Sequence, residues 1–147
     1  MVEPRVVESE LRARYAETDA QGVVYYANYL VWFEVARVNY LRAAGQDYRQ
    51  WEARGFGIAI AQALCNYHAP ARFNDPITLR VWVSEVGATS FRFQYQARHA
   101  ETGALLADGH TVQVFIDLND GRPIPIPSEA RRVLDPEAPQ PSGVCPS

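Results

Sequence analysis

One helix-length apolar segment, followed by four long alternating stretches, constrains this chain more than any other feature. Residues 29–44 place Tyr29, Trp32, Phe33, Ala36, Tyr40 and Leu41 at three- and four-residue steps, the spacing of a single helix face. Val31, Val35 and Val38 widen the apolar surface past that face, so the helix is expected to be wrapped on several sides. Gly45 is a plausible stop. Residues 5–14 read as a strand before it, and 47–54 as a short second helix after it. The period then changes to two. Ile77, Leu79, Val81 and Val83 alternate with Thr78, Arg80, Trp82 and Ser84, and Phe91, Phe93, Tyr95 and Ala97 with Arg92, Gln94, Gln96 and Arg98. Residues 56–67 and 105–117 read as two more strands. In the first of these, one parity carries Phe56, Ile58, Ile60 and Leu64. The other carries the small Ala59, Ala61, Ala63 and Cys65, which suggests close approach by a helix, a sheet or a ligand. Asn74-Asp75-Pro76, Glu101-Thr102-Gly103 and Asn119-Asp120-Gly121 mark turns. Ser128 is expected to cap a short helix ending at Leu134. Strand, helix and a run of antiparallel strands make an α+β chain, with a helix packed on one face of a curved sheet.

A chain of 147 residues is one domain by size. Residues 1–134 form it, and residues 135–147, with four prolines, read as a flexible tail. The net charge of −3 supplies no basic field for nucleic acid or an anionic membrane. No apolar run approaches the roughly 20 residues that span a bilayer. The N-terminus lacks the regions of a signal peptide, so a cytoplasmic protein is expected. Cys65 and Cys145 make no disulfide framework, and His68, His99 and His110 have no zinc-site spacing, so no metal is expected. All 14 basic residues are arginine, so any basic contact to phosphate must come from that planar fork.

The segment between the first strand and the helix carries the chemistry. Asp19 precedes a Gly22-Val23-Val24 turn that leads into the helix. A helix start offers unpaired N–H groups and the positive end of the dipole. A carbonyl oxygen lodged there is polarised, and a carboxylate across from it can attack the carbon or activate a water. That pairing is a minimal hydrolase site. Asp before a helix is also a common cap or turn residue. Glu34, on the helix, competes for the role, although an i, i+3 pair with Arg37 also accounts for it. Glu17 is expected to point outward, and Asn28 to cap the helix.

The block from Arg14 to Tyr29, with its Asp-x-x-Gly-hydrophobic-hydrophobic-aromatic pattern, resembles the active-site segment of hotdog-fold acyl-CoA thioesterases of the 4-hydroxybenzoyl-CoA thioesterase type. The similarity runs through Leu30–Arg37 and Tyr67–Pro76 and covers roughly residues 5 to 118. It implies a hotdog fold, a curved antiparallel sheet wrapped around a long central helix. It also implies hydrolysis of an acyl-CoA thioester, with Asp19 as nucleophile or general base and the backbone N–H of Tyr26 toward the thioester oxygen. Many relatives, including the Tol-Pal-associated thioesterases, have histidine where Tyr26 stands. The tyrosine removes a group titrating near neutrality and leaves the backbone role intact; a plain core position is the alternative for its ring. Gly22 and Val24 fall in the same motif as substrate-binding candidates. In the family a strand near Thr89, Ser90 and Arg92 runs by the pantetheine and nucleotide, which makes these three candidates for CoA, against a plain turn and a solvated face. Arg72 is another possible phosphate ligand. No cofactor is implied, since CoA is part of the substrate. Hotdog relatives place each site between two protomers, so a homodimer or homotetramer is expected.

Two other functions stay open. A hotdog dehydratase or hydratase on acyl thioesters usually relies on a histidine beside the carboxylate, and residues 1–67 contain none. A non-catalytic acyl-CoA-binding protein would have no need of Asp19.

Overall fold

The computed structural model describes residues 5–135. The expected tail beyond them, Cys145 included, lies outside the described residues. Strand β1 (Val6–Arg12) is followed by a single 3-10 turn (Tyr15–Glu17), helix α1 (Asn28–Ala43) and helix α2 (Tyr48–Ala53). Four strands come next: β2 (Phe56–Tyr67), β3 (Pro76–Val86), β4 (Ser90–His99) and β5 (Leu105–Asp117). Helix α3 (Ser128–Leu134) ends the described chain. The strands form one antiparallel sheet in the order β1-β3-β4-β5-β2. This is the α+β layering that the change of period demands.

The six residues of the helical stripe are the six buried residues of α1. They pack on the inward parities of β3 and β4, where Ile77, Leu79, Val81, Phe91, Phe93, Tyr95 and Ala97 are almost fully buried. Phe33 stacks flat on Tyr95 at 4.3 Å, and Tyr40 meets Phe93 edge-on at 5.0 Å. Each such side chain contributes about 1.5–3 kcal/mol over leaving it in water. The helix is not wrapped on every side, however: Leu30, Val31 and Val35 remain exposed on its other face.

Two local expectations are corrected. The cap position of α1 is Ala27, with no side-chain bond; Asn28 instead donates from Nδ2 to the Glu17 carbonyl at 2.9 Å. Ser128 is the first helical residue of α3, behind Pro127, and caps nothing. Asp47 is the effective cap, accepting the Arg49 N–H at the start of α2.

The parity of β2 is corrected too. A register shift between Ile60 and Gln62 inserts Ala61 as a bulge against β5. Ile58 and Ile60 lie opposite Phe115 and Gln113 on the helix side, but beyond the bulge it is Ala63, Cys65 and Tyr67 that take that side, opposite Thr111, Gly109 and Ala107. Leu64 therefore faces the other way from Ile60. The backbones run close here: a Cβ on Gly109 would overlap the Leu64 carbonyl. At the sheet edge β2 has no further strand among the described residues, and Ala59, Ile60, Ala63, Leu64 and Tyr67 stand exposed along it.

Candidate active site

Residues 18–24 form a small strap that folds back on itself ahead of α1. Thr18 bridges Val24, and the Asp19 N–H donates to the Val23 carbonyl at 2.9 Å. Asp19 closes the tip twice: its carbonyl accepts the Gly22 N–H and its Oδ1 accepts the Gln21 N–H, both at 2.9 Å. The tip needs a left-handed residue, and Gly22 supplies it with φ +80°. Asp19 is half-buried, and its Oδ2 has no hydrogen-bond partner among the described residues. One carboxylate oxygen is thus fixed by the backbone and the other is unpaired among the described residues.

The strap delivers the chain into α1. Val24 is buried and donates its N–H to Ala71, and Val23 bridges Arg72, which ties the strap to the segment after β2. The Tyr25 carbonyl accepts from Asn28, and that of Tyr26 from Tyr29. The N–H groups of Tyr26 and Ala27 have no backbone acceptor among the described residues. They are the orphan donors of a helix start, aimed with the dipole. The Tyr26 ring is no core aromatic: it is 61% exposed and leans on Tyr25 with ring centres 4.6 Å apart.

A cavity of about 320 Å³ opens beside this helix start, lined by Val24, Tyr26, Tyr29, Tyr67, His68, Ala69 and Pro70. The Tyr67 hydroxyl donates to the Tyr26 carbonyl at 2.8 Å, pinning the end of β2 to the first turn. Desolvation, with Cys65, Tyr29 and Tyr26 close by, raises the Tyr67 phenol above its ordinary pKa. Sequence reasoning placed Tyr67 and His68 in the Tyr67–Pro76 stretch of the resemblance and gave neither a role at the site. The signal was the position of both at the end of a long strand that returns toward the helix. His68 Nε2 lies 3.3 Å from Asp108 Oδ2.

The candidate carboxylates separate cleanly. Glu17 does not point outward; it is 5% exposed. Glu34 is exposed, and no ion pair among the described residues joins it to Arg37. Arg37 turns under the helix to the Tyr95 hydroxyl at 3.3 Å, which bonds Thr111 in turn. Glu34 and Arg37 both line a second cavity, of about 380 Å³, with Tyr48 and Ile60.

Ser90 and Arg92 line a third cavity, of about 610 Å³, with Glu85, Gly87 and Val112. Arg92 pairs with Glu85 at 3.6 Å and keeps a buried Nε without a partner. Thr89 is next in the chain, its carbonyl engaged by the Phe115 N–H. Within one chain this group does not meet Asp19. Tyr67 pairs with Ala107 and Ser90 with Val114, so seven residues of β5 separate the two ends, roughly 23 Å at strand rise. Among the described residues no group of three His, Cys, Asp or Glu side chains could hold a metal ion, and no helix is long and apolar enough to cross a membrane.

The fold is shared with known proteins. The family model of the thioesterase-like superfamily matches residues 13–134. The acyl-CoA thioesterase YbgC of Haemophilus influenzae is 30% identical over 123 residues, which are 82% of this chain and 88% of that one. A 1,4-dihydroxy-2-naphthoyl-CoA thioesterase from Synechocystis superposes with a TM-score of 0.82 at 25% identity, over 89% of this chain and 97% of its own. A DHNA-CoA thioesterase from Staphylococcus aureus gives 0.80 at 30% identity, over 82% and 80%. A curved antiparallel sheet on a long helix, shared with these enzymes along nearly the whole chain, makes this a hotdog-fold protein of the thioesterase-like superfamily.

Proposed function

We propose that the protein hydrolyses an acyl-CoA thioester to the free acid and CoA, at a site made of the Asp19 carboxylate and the Tyr26 N–H. The observation that carries this reading is the strap itself. It presents a half-buried carboxylate with one unpaired oxygen, and it ends at a helix start whose first donors are unpaired beside a cavity. The thioester oxygen accepts from the Tyr26 N–H, which stabilises the charge that builds on it. Asp19 then works in one of two ways. As nucleophile, its Oδ2 attacks the carbonyl carbon, CoA leaves as the thiolate, and water cleaves the resulting anhydride. As general base, it takes a proton from the water that attacks directly. In both routes the carboxylate is regenerated and no metal or added cofactor is called for.

The complete site spans two copies of the chain in this reading. The free edge of β2 is long and apolar, with Ile60 and Tyr67 on the helix side and Leu64 on the other, each 40–47% exposed. Such an edge is a template for another strand. Antiparallel pairing of β2 with β2 of a second copy, centred between Ala61 and Gln62, sets the Phe56 end of one copy beside the Tyr67 end of the other. The Ser90–Arg92 cavity of the second copy travels with its Phe56 end. The distance that separates the CoA candidates from Asp19 in one chain is thereby removed, and a homodimer is the smallest active unit, with a homotetramer as a dimer of such dimers. Acyl-CoA is a cytoplasmic metabolite class, which goes with a cytoplasmic enzyme.

The second reading, an acyl-thioester dehydratase or hydratase, has one observation in its favour: His68 lines the cavity at Tyr26. One panel separates the readings. The purified protein is offered short, long and aromatic acyl-CoAs with a free-thiol readout, and enoyl- and hydroxyacyl-CoAs with an absorbance readout of the conjugated double bond. Thiol release from saturated acyl-CoA supports the hydrolase. Water addition or loss without thiol release replaces it with the hydratase, and tight binding with neither leaves an acyl-CoA-binding protein.

A further inference from the structure

We propose that Glu17 is the positioning residue of this site, holding the Asp19 strap against α1 and so fixing the spacing between the Asp19 carboxylate and the Tyr26 N–H. The inference rests on the hydrolase reading above, and it starts from a carboxylate that the proposed chemistry leaves unused.

Glu17 is 5% exposed and accepts four hydrogen bonds from three separate stretches of chain. Its Oε1 accepts the Arg14 N–H at 2.8 Å, and its Oε2 accepts the Trp32 indole N–H at 2.9 Å. Its carbonyl accepts the Tyr25 N–H at 2.8 Å and the Asn28 Nδ2 at 2.9 Å. Asp19 is two residues after Glu17, and Tyr26 is one residue after Tyr25. Both halves of the site are thus hung from one buried residue, and Trp32, 1% exposed on the core stripe of α1, anchors that residue to the core.

The donors require a carboxylate. A backbone N–H and an indole N–H can only donate. Glutamine would offer one of them an oxygen and turn its own N–H group on the other. The charge is not held for ion pairing either. Among the described residues it forms an ion pair with Arg14 alone, whose Nε is 3.6 Å away on a side chain 72% exposed, where solvent screens the pair. A buried charge without a strong counter-ion is a poor device for stability, and an apolar side chain of that size would serve better. The two directional bonds of its carboxylate, one to Arg14 and one to Trp32, are suited to fixing geometry. A displacement near 1 Å between reacting groups lowers a rate on the order of a hundredfold.

The test uses Glu17→Gln, Trp32→Phe and the double variant, all checked by near-ultraviolet circular dichroism. Expected is a fall in kcat of about 10- to 100-fold for each single variant, with KM within about threefold, and a double variant no slower than the slower single. Thermal melting alone would move for a merely structural residue, so a spectroscopic readout accompanies it. In an Asp19→Asn background, a carbonyl-labelled acyl-CoA should show its C=O stretch lowered on binding when Glu17 is present, and returned toward the free value in Glu17→Gln. If Glu17→Gln fails to fold, Trp32→Phe removes the same bond from the other end and decides the matter. Normal kcat and an unaltered stretch in a folded variant with a lowered melting temperature overturn the proposal. A stretch that never shifts, even with Glu17 in place, overturns the Tyr26 reading beneath it.

Discussion

Tyr67→Phe removes a single oxygen, and the structure says what should follow. The hydroxyl donates to the Tyr26 carbonyl at 2.8 Å, while the second donor to that carbonyl, the Tyr29 N–H, is at a weaker 3.3 Å. The ring keeps its edge-on contacts with Tyr29 and Tyr26, at 5.3 and 6.3 Å. Packing is therefore preserved and one neutral hydrogen bond is lost, about 0.5–1.5 kcal/mol. Tyr67 is 47% exposed, so water partly replaces the donor and the lower half of that range applies. A loss of about 0.5–1 kcal/mol lowers Tm by roughly 1–4 °C in a domain of this size. The effect on rate is larger in proportion, because the hydroxyl pins the first turn of α1 beside the proposed oxyanion donor. We expect kcat to fall about 3- to 10-fold with KM little changed, measured as thiol release on one good acyl-CoA. Full kcat with the expected drop in Tm would refute the idea that the Tyr26 backbone belongs to the site. A loss beyond a thousandfold would refute the positioning role, and would mean that the hydroxyl itself touches the reacting atoms.

Two further outcomes are expected. Burial holds the phenols of Tyr29, Tyr40 and Tyr95 above their ordinary pKa, and pushes Tyr48 up to about 12. The native state then keeps protons that the unfolded chain gives up near pH 10. The stabilisation is complete below about pH 10 and is lost as pH rises toward 12, by about 1.4 kcal/mol per pH unit for Tyr48 alone. Urea unfolding at a series of alkaline pH values should show that slope, and Tyr48→Phe should flatten it; a stability constant up to about pH 11.5 would contradict the argument. His68→Gln should change kcat less than about threefold, since its imidazole is turned to Asp108. A hundredfold loss would make it an acid–base group and favour the hydratase reading.

Local periodicity made much of the fold legible. The α1 stripe and the inward residues of β3 and β4 follow from spacing alone, because side chains on one face must share one environment. The bulge in β2 could not be read that way. A single extra residue inverts every later side chain, and Ala61 between Ile60 and Gln62 carries no compositional mark of it. The motif located the Asp19 strap, but partners that depend on long-range packing were misread. Burial of Glu17 follows only once a donor-only indole, fifteen residues on, is known to face it. The expected Glu34–Arg37 pair loses to the Tyr95 hydroxyl, which comes from β4 and is invisible to helix spacing. The CoA candidates fell at the far end of the sheet because sequence order gives no hint of which strand ends meet.

The central claim is that Asp19 performs the chemistry, and comparison of Asp19→Asn with Glu34→Gln tests it most directly. Both changes are nearly isosteric, both side chains reach solvent, and only Asp19 sits on the strap that leads into the Tyr26 N–H. Single-turnover and steady-state thiol release are measured on the same acyl-CoA, with product-CoA affinity and melting temperature for each variant. The account predicts that Asp19→Asn loses turnover by about a thousandfold or more while it still folds and binds CoA, and that Glu34→Gln stays within about tenfold of the parent. Near-normal turnover in Asp19→Asn, with turnover lost in a folded Glu34→Gln, would contradict it and move the chemistry to the helix carboxylate.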